Sequence, residues 1–177
     1  NILESGIDEF VDRGINGASM RSIAQRAGVS VGVIYIYFSD KDSFFRACLD
    51  HSLQLLDNVL AEAVKEEDDI DSCIRNIVYA LVRHSQQHSN YNAMYNEITA
   101  GGCRVYAAEF AKEIETRSAQ VYSRLMAKAQ AQGRISKDAD SKALAFFFDN
   151  LLMMLQFSFS CEYYKERMKI FCGDSAD

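Results

Sequence analysis

Two histidines are the first residues whose type and spacing could support chemistry. His84 and His88 stand four positions apart, so on a helix both imidazoles would face one side and could reach one metal ion. No third ligand follows at a telling spacing, and the five cysteines form no Cys-x-x-Cys pair. The sequence contains no Walker loop and no Gly-x-Gly-x-x-Gly motif. It favours two solvated histidines near a helix end and predicts no metal site, no cofactor and no enzymatic activity.

A second group of residues could form a binding pocket. Aromatic and methionine side chains cluster between residues 79 and 154, as in pockets that are mostly apolar with a few placed polar groups. Asp149 and Asn150 interrupt an apolar run, and a buried carboxylate there would need a cationic ligand, a neighbouring arginine or a helix end as its partner. The alternative is ordinary core. The predicted ligand-binding residues are Tyr91, Met94, Tyr95, Glu97, Phe110, Phe147, Asp149, Asn150 and Met154.

The elements that would position functional side chains are clearest between residues 19 and 46. Ser19 is placed as the N-cap of a short helix, and Gly28 can end that helix because glycine reaches the left-handed conformation without steric cost. Ser30 can cap a second short helix whose inner face carries Ile34 and Phe38. Two helices joined by a tight turn of this kind predict a helix-turn-helix, which lays its second helix into the DNA major groove.

These residues resemble the DNA-binding domain of the TetR/AcrR family of transcriptional regulators. The resemblance is carried by IAQRAGVS at 23–30, by the aromatic cluster in VIYIYFSDK, and by the DKDSFF continuation into a long helix. Residues 2–19 resemble the first helix of that family and its glycine-containing exit. The resemblance covers about the first 50 residues and implies a repressor that reads DNA as a homodimer.

The resemblance also implies which residues touch DNA. Tyr35, Tyr37 and Lys41 match positions that commonly bond backbone phosphates, which set register and not sequence. Arg21 and Ser22 are candidates for a base edge or an adjacent phosphate. Aliphatic side chains stand where the family often has polar ones, and these can touch a thymine methyl but donate no hydrogen bond. The predicted DNA-binding residues are Arg21, Ser22, Ser30, Val31, Val33, Tyr35, Ile36, Tyr37 and Lys41.

Helical periodicity continues through a chain that has no proline. We predict helices at about 2–13, 41–65, 71–87, 90–100, 104–132, 139–160 and 162–172, besides the two of the helix-turn-helix. Residues 139–160 are apolar nearly all round, so a second copy of the chain, packed about a two-fold axis through the last two helices, would cover them. The expected fold is all-α, with a DNA-binding domain at 1–46 and a helical ligand-sensing and dimerisation domain at 47–177.

The negative net charge of the chain is unfavourable for binding DNA. The chain of 177 residues has a net charge of −6, and residues 1–46 alone carry five basic and six acidic side chains. We expect Arg21, Arg26 and Lys41 to lie near the DNA face. No apolar run of 18 residues and no signal segment is present, and unpaired cysteines fit a reducing cytoplasm.

The sequence therefore predicts a repressor released from its operator by a small hydrophobic effector. Two alternatives stay open: a DNA-binding protein without an effector, and a metal-binding or enzymatic protein built on the helical domain. A three-helix head that packs but binds no DNA is the simplest structural alternative.

Overall fold

The computed structural model describes residues 2–65, 69–99 and 107–173. The described part of the chain is helical throughout, without strands, as predicted. Its helices are α1 (Ile2–Gly17), α2 (Met20–Ala27), α3 (Val31–Tyr37), α4 (Lys41–Ala63), α5 (Ile70–Gln87), α6 (Ser89–Glu97), α7 (Ala107–Ala131), α8 (Ser141–Phe157) and α9 (Glu162–Cys172). The glycine pair that was predicted to end α6, Gly101–Gly102, lies outside the described residues.

Capping residues explain the boundaries of the first helices. The Ser19 side chain accepts from the backbone N–H of Ser22, and Gly28 closes α2 with φ 69°, as predicted. Ser30 occupies the position before α3 but makes no side-chain cap, so that part of the prediction is wrong. The first helix was predicted to end at about residue 13, and its regular geometry breaks at the next residue, Gly14, where φ is 67°. A further helical turn follows this kink, so α1 as a whole extends to Gly17.

A first hydrophobic core joins α1 to α4. Ile7, Ile23, Ile34 and Phe44 are fully buried in it, one from each of the four helices. Gly6 lets α1 approach α4, because a Cβ at that position would stand 2.3 Å from the Phe44 ring. The three-helix head is therefore packed directly onto the root of α4.

A second core holds the larger helical unit together. It is built from α4, α5, α7 and α8, and its fully or nearly buried members include Leu60, Ile77, Leu81 and Leu125. Because α4 contributes Phe44 and its neighbours to the first core and Leu60 to the second, one rigid element connects the two. The first core also receives residues from α6 and α7, so the head and the larger unit meet over a packed surface and not only through a linker.

The outer surface of α8 and α9 remains apolar and uncovered. α9 has no buried residue, and the exposed large side chains here are Phe146, Phe147, Leu151, Tyr163, Ile170 and Phe171. Within the described ranges, no single helix has the length and apolar character needed to cross a membrane. Only α8 and α9 taken as a pair meet those criteria, and the chain bends by 99° between them.

Candidate DNA-reading helix and ligand cavity

The outer face of α3 is open to solvent. Ile34 is fully buried and anchors the helix on the head, whereas Tyr35 is 52% exposed and both Ile36 and Tyr37 are 74% exposed. Val31 is also exposed, at 38%, and Val33 is half-buried. Three consecutive exposed apolar or aromatic side chains on a seven-residue helix are costly to leave in water unless they contact a partner. The face that would enter a DNA groove is thus free of the protein's own chain.

Arg21, Ser22 and Ser30, at the edge of this face, differ in whether their polar groups are already bonded within the protein. Arg21 is exposed and makes no salt bridge within the described ranges. Ser22 is not free, because its hydroxyl donates to the carbonyl oxygen of Ser19 at 2.9 Å and accepts from the Ser19 N–H at 3.0 Å. The Ser22 side chain closes the capping box of α2, so its predicted contact with DNA would have to compete with that cap. Ser30 is exposed and uncommitted as a cap.

The other two cations predicted at the DNA face are engaged within the protein. Lys41 Nζ donates to the carbonyl oxygens of Ile15 at 2.7 Å and Ala18 at 3.1 Å. Arg26 is turned toward α1, where it pairs with Asp12 and, at 3.0 Å, with buried Glu9. The expectation that Arg26 lies near the DNA face is therefore wrong, because a buried carboxylate needs a charged partner. Lys41 keeps one N–H for a phosphate, and Arg21 keeps its whole guanidinium.

The turn before α3 also has a spacing that the interpretation of the sequence overlooked. Gly28-Val29-Ser30-Val31-Gly32 fits Gly-x-Ser-x-Gly, the pattern of a serine hydrolase elbow. That elbow requires a strand before the serine and a helix after it. Here α2 precedes the serine, so the surrounding structure is that of a helix-turn-helix, and Ser30 has none of the context of a nucleophile.

A cavity lies between α4, α5, α6, α7 and α8 in the larger unit. It contains about 830 Å³ of free space, counting the part that is open to solvent. Leucines of α4 form one wall, and Ile114 and Phe157 contribute from α7 and the end of α8. A mostly apolar lining with a few polar groups is typical of small-molecule sites.

The polar residues on the cavity wall are mostly acidic. The Tyr95 hydroxyl donates to Glu115 Oε1 at 2.5 Å, which ties α6 to α7. Asp149 faces the same space from α8 and makes no hydrogen bond or salt bridge among the described residues. Burial, and then the charge of Glu115, raise the pKa of Asp149 to about 6. Arg117 Nη1 lies 2.6 Å from Asp57 at the exposed rim.

Only part of the predicted lining meets at this cavity. Tyr91, Tyr95 and Asp149 line it. Met94 and Phe110 do not, because both are fully buried in the first core. Phe147 points to the outer face of α8, at 62% exposure, and Asn150 lines a groove outside the cavity.

Two further predicted residues lie elsewhere, and several lining residues were missed. Glu97 lies beside Gly14 of α1, and Met154 is half-buried away from the cavity. The sequence analysis did not select His84, Asn92, Glu115, Arg117, Tyr122 and Gln156 as ligand-binding residues. The aromatic clustering that drew attention to Tyr91 and Tyr95 also included Tyr122. The charged residues of α7 look like a solvated helix face until the fold closes α8 over them.

The histidine pair is buried more deeply than predicted. His84 is only 6% exposed and lines the cavity, so the prediction of a solvated side chain is wrong for it. Its ring centroid lies 5.0 Å from that of His88, whose ring stacks on Tyr91. Burial, and then the neighbouring His88, lower the pKa of His84 to about 4. In the part of the chain that the structure describes, no three His, Cys, Asp or Glu side chains come together to hold a metal ion.

Comparison with known proteins identifies the head. Residues 2–48 match the profile of bacterial regulatory proteins of the tetR family. The transcriptional regulator TtgR of Pseudomonas putida is 35% identical over 79 residues, which are 44% of this chain and 37% of TtgR. The transcriptional activator FasR of Mycolicibacterium smegmatis is 34% identical over 89 residues, 49% of this chain and 41% of FasR. The head of this chain is a tetR-family domain. The matched segments span well under half the length of these two relatives.

Solved structures extend the likeness of this chain to its whole fold. FadR from Bacillus halodurans aligns with a TM-score of 0.78 over 98% of this chain and 85% of its own, at 16% identity. FadR from Bacillus subtilis, solved in complex with stearoyl-CoA, aligns with a TM-score of 0.72 over 94% of this chain and 87% of its own, at 14% identity. At such low identity the likeness shows the fold, a helix-turn-helix head on a larger helical domain.

Proposed function

We propose that the chain is a ligand-responsive transcriptional regulator. It binds double-stranded operator DNA through α3 as a homodimer and is released by a small hydrophobic effector that enters the cavity of the larger domain. Regulators of this family bind operator DNA, typically as dimers, and some bind small-molecule effectors. The observation that carries the proposal is α4, a single helix whose first turn stands beside the reading head and whose later turns form a wall of the cavity.

The contacts along α4 give the proposal its mechanism. Phe44 and Phe45 at its root pack into the head core, and Phe45 meets Phe10 of α1 edge-on at 5.0 Å. Leu53 and Leu60 lie about two and about four turns further along and face the cavity. An effector that prefers one position of α4 shifts the population of head positions by its difference in affinity for the two states.

The uncovered face of α8 and α9 supports the dimer. Exposed phenylalanine, leucine and tyrosine side chains form a contiguous apolar surface there, which a second copy would cover about a two-fold axis. Two heads related by such an axis would reach successive major grooves, about 34–36 Å apart or a multiple of that. A regulator of this kind acts in the cytoplasm, where its DNA is.

The apolar cavity supports the effector and favours a ligand-responsive regulator over a DNA-binding protein without one. In the Bacillus subtilis FadR structure the bound molecule is stearoyl-CoA. Here the leucine wall of α4 and the ring of Phe157 offer the same kind of surface to a hydrocarbon. Repression is the expected sign, because release on ligand binding is the simplest consequence of tilting the heads.

Selection of bound DNA from a random pool tests the proposal. The purified chain should enrich a two-fold symmetric sequence with half-sites about 10 base pairs apart, and sedimentation at micromolar concentration should show a dimer. Hydrophobic compounds are then screened for weaker binding to the selected DNA. A lone subunit at micromolar concentration, or a pool with no enriched sequence, would overturn the DNA-binding part. Unchanged affinity with every compound that binds the cavity would overturn the effector part.

A further inference from the structure

The ligand cavity carries an unbalanced negative charge. Its described lining residues include three carboxylates, Asp57, Glu115 and Asp149, and one guanidinium, Arg117. Arg117 is already committed to Asp57 at 2.6 Å, at the exposed rim. His84 adds no compensating charge near neutral pH, because burial keeps its imidazole unprotonated. Glu115 and Asp149 are therefore left facing an apolar space without a cation of their own.

The two carboxylates differ in how they are held. Glu115 accepts the Tyr95 hydroxyl through Oε1 and, through Oε2 at 3.4 Å, the hydroxyl of Ser118. Asp149 has no such donors among the described residues. Desolvating a carboxylate beside another carboxylate is unfavourable, which is the physical cause of the raised pKa of Asp149. A bound positive charge would lower the electrostatic free energy of this pair of carboxylates.

A tyrosine hydroxyl on the same cavity wall is also free to contact a ligand. Tyr122 is only 3% exposed and lines the cavity, yet its hydroxyl has no hydrogen-bond partner among the described residues. The hydroxyl oxygen is not one of the side-chain atoms that are fully buried without a partner, so it keeps access to solvent. Burial, and then the charges of Asp149 and Glu115, raise its pKa, and all three residues line the same cavity. The ring and hydroxyl of Tyr122 are thus presented to whatever fills the space beside the carboxylates.

We propose that the effector of this protein is a hydrophobic cation, a protonated amine or a quaternary ammonium with a hydrocarbon tail. This inference rests on the proposed function and names the ligand class of the same cavity. The positive nitrogen sits between Glu115 and Asp149, with the ring of Tyr122 beside it, and the tail lies along the leucines of α4. Aromatic faces attract such cations, most strongly where water is excluded. A carboxylate or phosphate ligand would instead add negative charge to an acidic, poorly solvated wall.

Entry to this position is from the outer side of α7 and α8. Glu115, Ser118, Asp149 and Met153 line both the cavity and an external groove between these helices, so the two spaces meet there. The groove is also lined by Arg124 and Lys142. The carboxylates therefore stand at the junction, where a cation arriving through the groove first meets the apolar interior.

A matched series of ten-carbon ligands tests the ligand class. Decyltrimethylammonium, decanol and decanoate share one tail and differ in head-group charge, and each is titrated calorimetrically into the full chain below its micelle-forming concentration. The cation should bind at least ten-fold more tightly than the alcohol, and decanoate more weakly still. Asp149→Asn should weaken binding of the cation at least ten-fold and leave decanol within about two-fold. Asp138→Asn, at an exposed carboxylate between α7 and α8, should change neither.

Each outcome decides between the two proposals. Equal binding of all three ligands, tighter binding of decanoate, or no measurable binding of the cation overturns the assignment of a cationic ligand. Selective, Asp149-dependent binding of the cation with no change in operator affinity confirms the site and overturns the effector function. If Asp149→Asn fails to fold by circular dichroism, Glu115→Gln takes its place with the same expected loss. Binding of the cation that neither folded variant weakens also overturns the inference.

Discussion

Arg46 and Glu109 form a two-pronged salt bridge between α4 and α7. Arg46 Nη1 lies 3.0 Å from Glu109 Oε1 and Nη2 lies 3.1 Å from Oε2, and the same guanidinium stands over the ring of Phe110 at 5.1 Å. Parallel N–H donors on a carboxylate fix the relative orientation of the two groups. The helix that leaves the reading head is therefore tied, one turn after its start, to a helix that walls the cavity.

Glu109→Gln should weaken the coupling between effector and operator. The variant keeps the size of the side chain but loses the charge, so a shift in α7 is transmitted less faithfully to α4. We expect the ratio of operator affinities without and with effector to fall toward one, while the midpoint of thermal unfolding changes little because the pair is exposed. Asp71→Asn, which breaks an equally exposed pair with Arg134, is the control. A coupling ratio that falls equally in both variants would contradict the prediction.

Tyr35 and Arg21 should affect DNA binding in different ways. Tyr35→Ala removes an exposed phosphate-contacting candidate and should lower affinity for all sequences alike. Arg21→Ala should cost about 1–3 kcal/mol at the selected operator and also relax the sequence preference. Both are measured by fluorescence anisotropy on the operator and on a scrambled duplex. Arg83→Ala, at an exposed arginine of α5, should leave both affinities unchanged. Unaltered binding in the first two variants would exclude this docking mode.

Two nearby glycines should respond oppositely to alanine. Gly28 has φ 69° and nothing near its missing Cβ, so Gly28→Ala should destabilise the protein by about 1–2 kcal/mol through backbone strain alone. Gly32 lies in α3 with ordinary helical geometry and 3.8 Å of room to Ser30 Oγ. Gly32→Ala should therefore stabilise the protein, by up to about 1 kcal/mol. Urea unfolding measures both changes, and a shift of the same sign in the two variants would contradict the argument.

Leu151 should be required for dimer formation. It is 70% exposed in the subunit, in the middle of the apolar face of α8. Leu151→Glu places a charge where the partner would pack, so sedimentation should show a folded monomer at concentrations where the parent chain is dimeric. Tyr79→Glu alters an equally exposed side chain on α5, at 65% exposure, and should leave the dimer intact. A dimeric Leu151→Glu variant would place the interface elsewhere.

Asp149 should make stability depend on pH in an unusual direction. Its pKa is about 6 in the folded chain against 3.8 as the ordinary value, so the folded state binds more protons between these limits and loses stability as pH rises through them. Asp149→Asn removes that loss. At pH 7 the variant should be more stable than the parent by about 1–2 kcal/mol once solvent screening is allowed for, and the difference should shrink as pH falls and become small below pH 4.

The surroundings of Asp149 determine how this is measured. Glu115, Tyr95 and Tyr122 face it, and the Asp57–Arg117 pair lies at the rim. His84, on the same cavity, acts in the opposite sense, because its lowered pKa costs stability as pH falls from about 6.5 to about 4. Subtracting the two urea-unfolding curves at each pH cancels the histidine. A difference between variant and parent that stays constant from pH 4 to 7 would contradict the prediction.

The local features of the fold were predictable and the long-range ones were not. Ser19 and Gly28 mark the ends of α2 through bonds to residues within a few positions, and α9 begins and ends where its periodicity predicts. Met94 was taken for a pocket residue because helical spacing gives its face but not the helix that covers it. The hydrogen bonds of Lys41 to Ile15 and Ala18 span more than 20 residues, so no local pattern announces them.

In the candidate site, too, the local features were predictable and the long-range ones were not. Val31, Tyr35, Ile36 and Tyr37 are exposed as expected, because the outer face of α3 depends only on the period of one short helix, whereas Val33 is half-buried. The cavity required five helices to be placed together, and Glu115 and Arg117 of α7 were not predicted to line it. Asp149 was found because a carboxylate inside an apolar run is anomalous whatever the fold. Its acidic neighbour Glu115 became visible only when α7 and α8 were side by side.

The ammonium of Lys41, at the start of α4, donates to two carbonyl oxygens at the end of α1. The head and α4 would therefore move together as one rigid body. A helix of 23 residues measures about 34 Å. A tilt of about 10° at the cavity end would carry the far end through about 6 Å, and successive base pairs are only about 3.4 Å apart. A small tilt of α4 at the cavity would thereby displace the head by nearly two base pairs along the duplex.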